Sequence, residues 1–544
     1  MNLASTLTQS ALRWPDKLAL VFEGRRWTYR QWNRWVNQTA NAFLAHGIGK
    51  GDRVAFLTWN LPEQVTGFYA LMKIGAIPVP INYRLAANEI RYIIDDCGAK
   101  MLVFEETLRA PVMAIRDQLS VQKLIYVGDT PGPGEVRFDD FVAPGSDREP
   151  AVGAGWTDPA MIMYTSGTTG RPKGVVRSHI AELVGAMAMS AECGFTHDDT
   201  LLNNKPLFHI AQLQIQLMPF VIIGGTNILT RGFDVHETLS LVGEEKITTL
   251  HGVPTQMVMM VAADLSQYRL DTLRCGFFGG QTLADDVTRK CMALFPNFFA
   301  NIYGSTEALM VTSCDYRRHP NKLGSVGKAG QTMEVRIIGA DSTDPDDQCK
   351  PGEIGQLIAR GPSLFTGYWG LPEKTAQTIR DGWYYSGDAA VTDDEGFITV
   401  MGRMDHTIKS GGENSHPSEV ENVLFSHPGI ANAAVVGLPS RKWGQVVCAA
   451  IMRKDPALDA KALEAFCLGN PDLASFKRPR HWFFVDEIPS NPTGKVERGR
   501  LKDKLMAGQT APLEYPVSQS PVTMSALFFI QAHIPNDAEV RRLY

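Results

Sequence analysis

A chain of 544 residues is too long for one ordinary hydrophobic core and implies two or more domains. Its 44% hydrophobic and 20% charged residues are those of a folded, water-soluble protein, and a formal net charge of −5 gives no reason to expect nucleic-acid binding. Eight cysteines are scattered without a C-x-x-C pair, which argues against a zinc ribbon or a disulfide framework. The opening MNLASTLTQSALRWPDK lacks a basic segment followed by an apolar one, so no signal peptide is expected. The run Leu217 to Leu229 is interrupted by Pro219, Gly224 and Gly225, short of the ~18–20 apolar residues that span a bilayer. A cytoplasmic protein without a transmembrane segment is expected, with peripheral membrane contact left open.

Residues 16–110 alternate between two kinds of element. Leu18 to Phe22 and Arg26 to Tyr29 form a hairpin around Glu23-Gly24, followed by an amphipathic helix from Gln31 to His46. Strand-like Arg53 to Leu57 precedes a helix over Glu63 to Ile74 and an apolar run, Ile77 to Ile81; Met101 to Phe104 and Lys123 to Val127 continue the pattern. Such alternation predicts α/β layers with parallel strands. Pro131 to Gly155, rich in Pro, Gly and acids, reads as a surface connection. Further strands are expected at Thr226 to Leu229, Thr248 to His251 and Arg274 to Phe278. A smaller β subdomain is expected from Glu334 to Ile338, Gly355 to Ala359 and Phe397 to Met401. Beyond Gly402-Arg403 a compact unit begins, with strands at Ala433 to Gly437 and Cys448 to Met452 and helices at Ser418 to Leu424 and Ala460 to Leu468. The boundaries expected are 1–403 for a large N-terminal domain, 404–507 for a small, mobile C-terminal α+β domain, and 508–544 for a proline-punctuated tail.

The most informative stretch is Met163-Tyr-Thr-Ser-Gly-Thr-Thr-Gly-Arg-Pro-Lys-Gly-Val175. A strand-like run delivers the chain into a loop where Gly167 and Gly170 let successive N–H groups converge, a nest for anions. Thr165, Ser166, Thr168 and Thr169 add hydroxyls and Lys173 a positive charge, so the chemistry is that of a polyphosphate loop. It is not the G-x4-G-K-[ST] loop, because Pro172 precedes the lysine and Gly174 follows it.

The order YTSGTTGRPKG resembles the signature of the acyl-adenylate-forming superfamily, which includes acyl-CoA synthetases, peptide-synthetase adenylation domains and firefly luciferase. Six further stretches match it in order over roughly residues 10–505. In Pro206-Leu-Phe-His209 the resemblance makes His209 a gate to the acyl channel, counted among the catalytic candidates. Phe277-Phe-Gly279-Gly280-Gln281 would border adenine and the acid carboxylate; the family's usual small third residue is replaced by Gln281, which weakens the case for a wholly hydrocarbon pocket. Asn301-Ile-Tyr303-Gly304-Ser305-Thr306-Glu307 would place Tyr303 against adenine, Thr306 at the α-phosphate, and Glu307 with Thr165 toward Mg2+. In Trp383-Tyr-Tyr-Ser-Gly-Asp388, Asp388 would clamp the ribose, with Arg403 as a further nucleotide contact and Asp405 as a hinge. Lys409-Ser-Gly-Gly412-Glu-Asn414 would be a loop that swings toward the pantetheine tunnel, and Pro492-Thr-Gly-Lys495 would carry the catalytic lysine. Arg84, Trp443, Phe476, Arg478 and Arg480 match positions that bind the coenzyme A nucleotide in some relatives.

The resemblance implies an AMP-forming carboxylic acid:CoA ligase, monomeric or homodimeric, using ATP, coenzyme A and Mg2+. A medium- or long-chain fatty acid is the first expectation for its substrate. An aromatic or small polar, betaine-like acid is the competitor, because Gln212, Gln214 and Gln281 add polarity near the pocket. A stand-alone adenylating enzyme that loads a carrier protein, a luciferase-like oxygenase and a non-catalytic nucleotide binder are the other readings. All four of Thr165, Glu307, Asp388 and Lys495 are present, which weighs against the last.

Overall fold

The computed structural model describes residues 2–507 apart from 152, 166–170, 281–282, 411–412, 441–442, 471–472 and 491–495. Two compact units divide the chain, one of residues 1–407 with 489–497 and one of 408–488 with the chain from 498 onward.

The large unit opens with the expected hairpin. Leu18–Phe22 pairs antiparallel with Arg25–Thr28, and Glu23 (φ 46°) and Gly24 (φ 78°) both take the left-handed conformation that two-residue hairpin turns require. Thr28 then caps the helix Tyr29–Ala45: its hydroxyl accepts from Gln31 N while Gln31 Oε1 accepts from Thr28 N. That helix packs on Pro62–Lys73, where Trp32 Nε1 donates to Thr66 Oγ1 (3.1 Å) and the Trp32 ring meets Tyr69 edge-on.

Two sheets carry the α/β layers. The five-stranded sheet is wholly parallel and runs, in spatial order, Ile77–Pro80, Arg53–Leu57, Met101–Glu105, Lys123–Val127, Glu135–Arg137. The nine-stranded sheet centres on parallel Leu18–Phe22, Thr226–Leu229, Thr200–Asn203, Thr249–Gly252, Cys275–Gly279 and Phe298–Ser305, with antiparallel strands at both edges. One continuous core of buried aliphatic and aromatic residues reaches both sheets, from Phe56 and Phe68 to Phe220 and Phe277. The β subdomain pairs Glu334–Ile338, Gly355–Arg360, Trp383–Thr392 and Ile398–Arg403 antiparallel.

One expectation is corrected. Pro131 to Gly155 is not a plain surface connection, because it holds the strand Glu135–Arg137 and the helix Phe138–Val142. Phe138 and Phe141 are buried there, Phe138 meeting Trp35 edge-on and Phe141 lying tilted against Phe43. Two aromatic anchors outweigh the turn-rich composition around them.

The small unit is an antiparallel sheet around Ile430–Ser440 and Gly444–Arg453, joined in parallel by His481–Phe484. Helices Pro417–Phe425, Ala460–Gly469 and Arg498–Met506 complete it, and Arg498 makes a bidentate ion pair with Glu421 (2.6 and 2.7 Å). The tail 508–544 lies outside the described residues.

Candidate active site

The strands Pro159–Thr165 and Lys173–Ser178 form a hairpin in which Thr165 faces Lys173. The turn between them, with Ser166, Gly167, Thr168, Thr169 and Gly170, lies outside the described residues. A third short strand, Gly367–Tyr368, sets Tyr368 opposite Val175. The Lys173 ammonium lies 5.4 Å from the centre of the Tyr368 ring, and Tyr368 Oη donates to Glu307 Oε1 at 2.9 Å. Burial lowers the Lys173 pKa, the nearby charges of Lys374 and Arg403 lower it further, and Glu307 opposes them. Lys173 and Glu307 thus meet at a tyrosine that the motifs had not singled out, with Thr165 across the hairpin from Lys173.

The backbone that carries Glu307 is fastened from inside the protein. Arg177, in the same strand as Lys173, donates through Nη1 to the carbonyls of Thr306 (3.1 Å) and Glu307 (3.3 Å) and through Nη2 to Ser363 (2.8 Å). Its Nε pairs with Glu182 Oε1 at 2.6 Å, and neither side chain is exposed to solvent. Gln214 Nε2 donates to the same Glu182 oxygen. Gln214, one of the glutamines expected to add polarity near the acid pocket, therefore serves this buried clamp.

A second cluster forms where Phe298–Ser305 approaches the β subdomain. Tyr303 Oη donates to Asp388 Oδ2. Asp388 lies directly across from Arg403 in the strand pair, with Arg403 Nη1 3.5 Å from Asp388 Oδ1 and donating to Ser386 O at 2.7 Å. Ser305 Oγ reaches Tyr384 Oη at 3.3 Å, and burial together with the Glu307 charge holds the Tyr384 phenol protonated, which links the two clusters. Gly304 has no room for a side chain, since a Cβ would lie 1.7 Å from Leu309 O. A Cβ on Gly279 would lie 2.3 Å from Ile302 O, and Gly280 has φ +87°, so this strand end presents bare backbone. Gln281, next in the chain, lies outside the described residues.

Asn301, a cofactor-binding candidate that opens the stretch ending at Glu307, is bonded within the fold. It is buried, and its Nδ2 donates to Tyr316 Oη (3.2 Å) and Ser325 O (3.1 Å), a bracing role within the fold. His209 caps the helical segment Ile210–Gln212 by accepting from Ala211 N through Nδ1 at 3.2 Å. Beyond it runs a buried polar ladder. Gln212 Nε2 donates to Asn203 Oδ1 and Gln216 Oε1, and Gln216 Nε2 meets His251 Nδ1 at 2.7 Å. His251 in turn stacks on Phe277, its centroid 4.8 Å away. Lys205 closes the group, donating to Asn204 Oδ1 and His251 O, with its pKa pushed down to about 7 by burial.

Of the coenzyme A candidates, Arg84 lies over the Tyr83 ring in the large unit. In the small unit Phe476, Arg478 and Arg480 share one turn, and both arginines donate to Ser475 O. Trp443 immediately precedes the strand Gly444–Arg453. Gly412 and Lys495 lie outside the described residues.

The AMP-binding enzyme family matches residues 7–369, and the AMP-binding enzyme C-terminal domain matches residues 419–495. A feruloyl-CoA synthase of Amycolatopsis sp is 35% identical over 509 residues, covering 92% of this chain and 98% of that protein. The long-chain-fatty-acid–CoA ligase FadD13 of Mycobacterium tuberculosis is 32% identical over 492 residues, covering 89% and 94%. The anthranilate CoA ligase AuaEII, solved with anthranoyl-AMP, superposes with a TM-score of 0.85 at 28% identity, covering 93% of this chain and 98% of that one. Collinear motifs, two-unit architecture and these similarities agree: the chain belongs to the AMP-binding enzyme family and is an AMP-forming acid–thiol ligase.

Proposed function

We propose that this ligase activates a compact aromatic or otherwise polar carboxylic acid as an acyl-adenylate and passes the acyl group to coenzyme A. The polar ladder that begins three residues after His209 carries the choice of acid. A buried polar group of Gln212, Gln216, His251 and Lys205 near His209 favours an acid with hydrogen-bonding groups, because a long alkyl chain placed beside it would gain little from burial. A medium- or long-chain fatty acid is the second reading, favoured by the similarity to FadD13.

The charges suit the first half-reaction. A carboxylate attacking the α-phosphorus of ATP meets a triphosphate that repels it, and negative charge grows in the transition state. Lys173, crowded by Lys374 and Arg403, gains from any anion placed beside it. Lys495 is the proposed second cation at the reacting phosphate. Asp388, a carboxylate with acceptor capacity beyond its bond from Tyr303, can take the ribose hydroxyl protons. Bare backbone at Gly279 and Gly280 lets a flat base approach.

Thr165 and Glu307 offer oxygen donors, the ligand class that Mg2+ takes. Among the described residues no three of His, Cys, Asp and Glu converge on one point, so an ion here would complete its shell with phosphate oxygens and water. Bound there, Mg2+ would supply charge neutralisation of the triphosphate. The residues of the chain set geometry: Tyr368 fixes the Glu307 carboxylate and Arg177 fixes its backbone.

Turnover with equal concentrations of a hydroxycinnamic acid, an indole- or phenylacetic acid, a benzoic acid and straight-chain acids of graded length tests the choice of acid. The aromatic acids should show the highest kcat/KM; preference rising with alkyl chain length would return the assignment to fatty acids.

A further inference from the structure

A separate cleft of about 760 Å³ opens in the large unit at the carboxyl ends of the parallel strands Arg53–Leu57, Met101–Glu105 and Lys123–Val127. The order of the five-stranded sheet reverses between Arg53–Leu57 and Met101–Glu105, so the loops leaving these neighbours diverge. Crevices at such switch points are where open α/β sheets bind ligands. None of the residues assigned above to ATP, the acid or coenzyme A lines this cleft.

Two carboxylates stand deep in it. Glu63 belongs to the first turn of the helix Pro62–Lys73, and Glu105 ends its strand; their side chains are only 9% and 4% exposed. Arg25 meets Glu63 Oε1 at 3.0 Å and Arg231 meets Glu105 Oε2 at 3.5 Å, and both arginines are half-exposed. The inner oxygen of Glu63, Oε2, is buried with no hydrogen-bond partner. Burial pushes the Glu105 carboxyl up against the bonds and charge that Thr107 and Arg231 supply, and the Glu63 charge adds to the push. A buried carboxylate oxygen that lacks a donor is costly, and two like charges facing one space increase the cost. Trp59 and Phe138 add aromatic surface to the same cleft.

The lining carries five carboxylates (Glu63, Glu105, Glu106, Asp129 and Asp139) against three arginines (Arg25, Arg137 and Arg231), so negative charge is in excess, and no donor reaches Glu63 Oε2. A primary ammonium answers both, with three N–H groups and one positive charge. Two deep carboxylates are fewer than the oxygen ligands a divalent metal collects. We propose that this cleft binds a small organic ammonium compound, with its amine between Glu63 and Glu105 and its apolar body against Trp59 and Phe138.

Calorimetric titration of the full-length protein, saturated with ATP and acid so that the reaction site is filled, tests this. The probes are 2-phenylethylamine, its uncharged analogue 2-phenylethanol, and Mg2+ or Ca2+ alone. The amine should bind saturably and the alcohol should not. Glu63→Gln and Glu105→Gln should each weaken the amine about tenfold, the effect of losing one charge-assisted contact. Arg231→Gln should tighten it, because the counter-charge of Glu105 is removed, and a fold defect would not produce that opposite sign. Three outcomes would overturn the proposal: equal binding of amine and alcohol, no saturable amine binding at millimolar concentration, or a divalent ion binding where the amine does not.

Discussion

Arg177 and Glu182 form an ion pair of 2.6 Å (Nε to Oε1) with neither side chain exposed, and the free guanidinium N–H groups hold the carbonyls of Thr306, Glu307 and Ser363. The pair links the strand Lys173–Ser178 to the turn that carries Glu307, the candidate magnesium ligand. Ser178, which caps the helix His179–Cys193, lies between the two residues and fixes their spacing. Burying both charges is costly, so the pair is understood better as a positioning device than as a source of stability.

Removing one member should therefore be severe. Glu182→Ala is expected to lower stability by about 3–5 kcal/mol, because it strands a buried guanidinium. The double variant Arg177→Met/Glu182→Leu should regain much of that in urea denaturation. Adenylation should stay impaired in it, since three backbone carbonyls have lost their donors. Full recovery of adenylation in the double variant would show that the clamp is structural only.

Asp388 is proposed to take the ribose hydroxyls, and Tyr303 to orient it. Asp388→Asn should raise the KM for ATP about tenfold or more, the equivalent of one good hydrogen bond. The preference for ATP over 2′-deoxy-ATP should shrink in the same variant. Tyr303→Phe should weaken ATP binding less and leave that preference in place. An unchanged preference in Asp388→Asn would remove Asp388 from the ribose.

His179 gives a stability prediction with a defined sign. It is fully buried, accepts from Leu3 N through Nδ1 at 3.3 Å, and burial pushes its pKa down to about 4. Unfolded histidine titrates near 6.5, so between about 6.5 and 4 the unfolded chain binds the extra proton. The stability contributed by neutral His179 is whole above about pH 6.5 and is lost as pH falls toward 4, up to about 3 kcal/mol. His179→Gln should flatten the pH dependence of unfolding across that window; an identical slope in both proteins would contradict the assignment.

Lys495 is proposed to act in adenylation alone. Lys495→Ala should cut adenylate formation by about a hundredfold or more, as removal of one transition-state charge contact does. Thioester formation from supplied acyl-AMP and coenzyme A should be spared. Equal loss of both half-reactions would end the idea of separate roles.

Much of this was legible in the sequence because the motifs are local. Thr165 and Lys173 flank one loop, and Tyr303 and Glu307 occupy one seven-residue stretch, so order along the chain reports them directly. Arg177, Glu182 and Tyr368 were not legible in that way. Tyr368 meets Glu307 only because Gly367–Tyr368 adds to a hairpin some 190 residues earlier in the chain. The signal for Arg177 was faint but present: an arginine that directly follows the apolar pair Val175-Val176 in a strand needs an acid, and Glu182 follows just after the Ser178 cap. Asn301 shows that a motif position can also serve the fold, since its amide finds Tyr316 and Ser325. Gln214 likewise reads as pocket polarity from spacing alone, and only the packing of its helical segment turns it toward Glu182.

The central claim is that the acid is activated through an acyl-adenylate before coenzyme A attacks. Turnover of an acid labelled with oxygen-18 in its carboxylate, with mass spectrometry of the AMP released, tests it most directly. Attack of the carboxylate on the α-phosphorus followed by cleavage of the acyl C–O bond leaves one labelled oxygen in AMP, and that is the predicted result. Unlabelled AMP from a reaction that yields acyl-CoA would contradict the account.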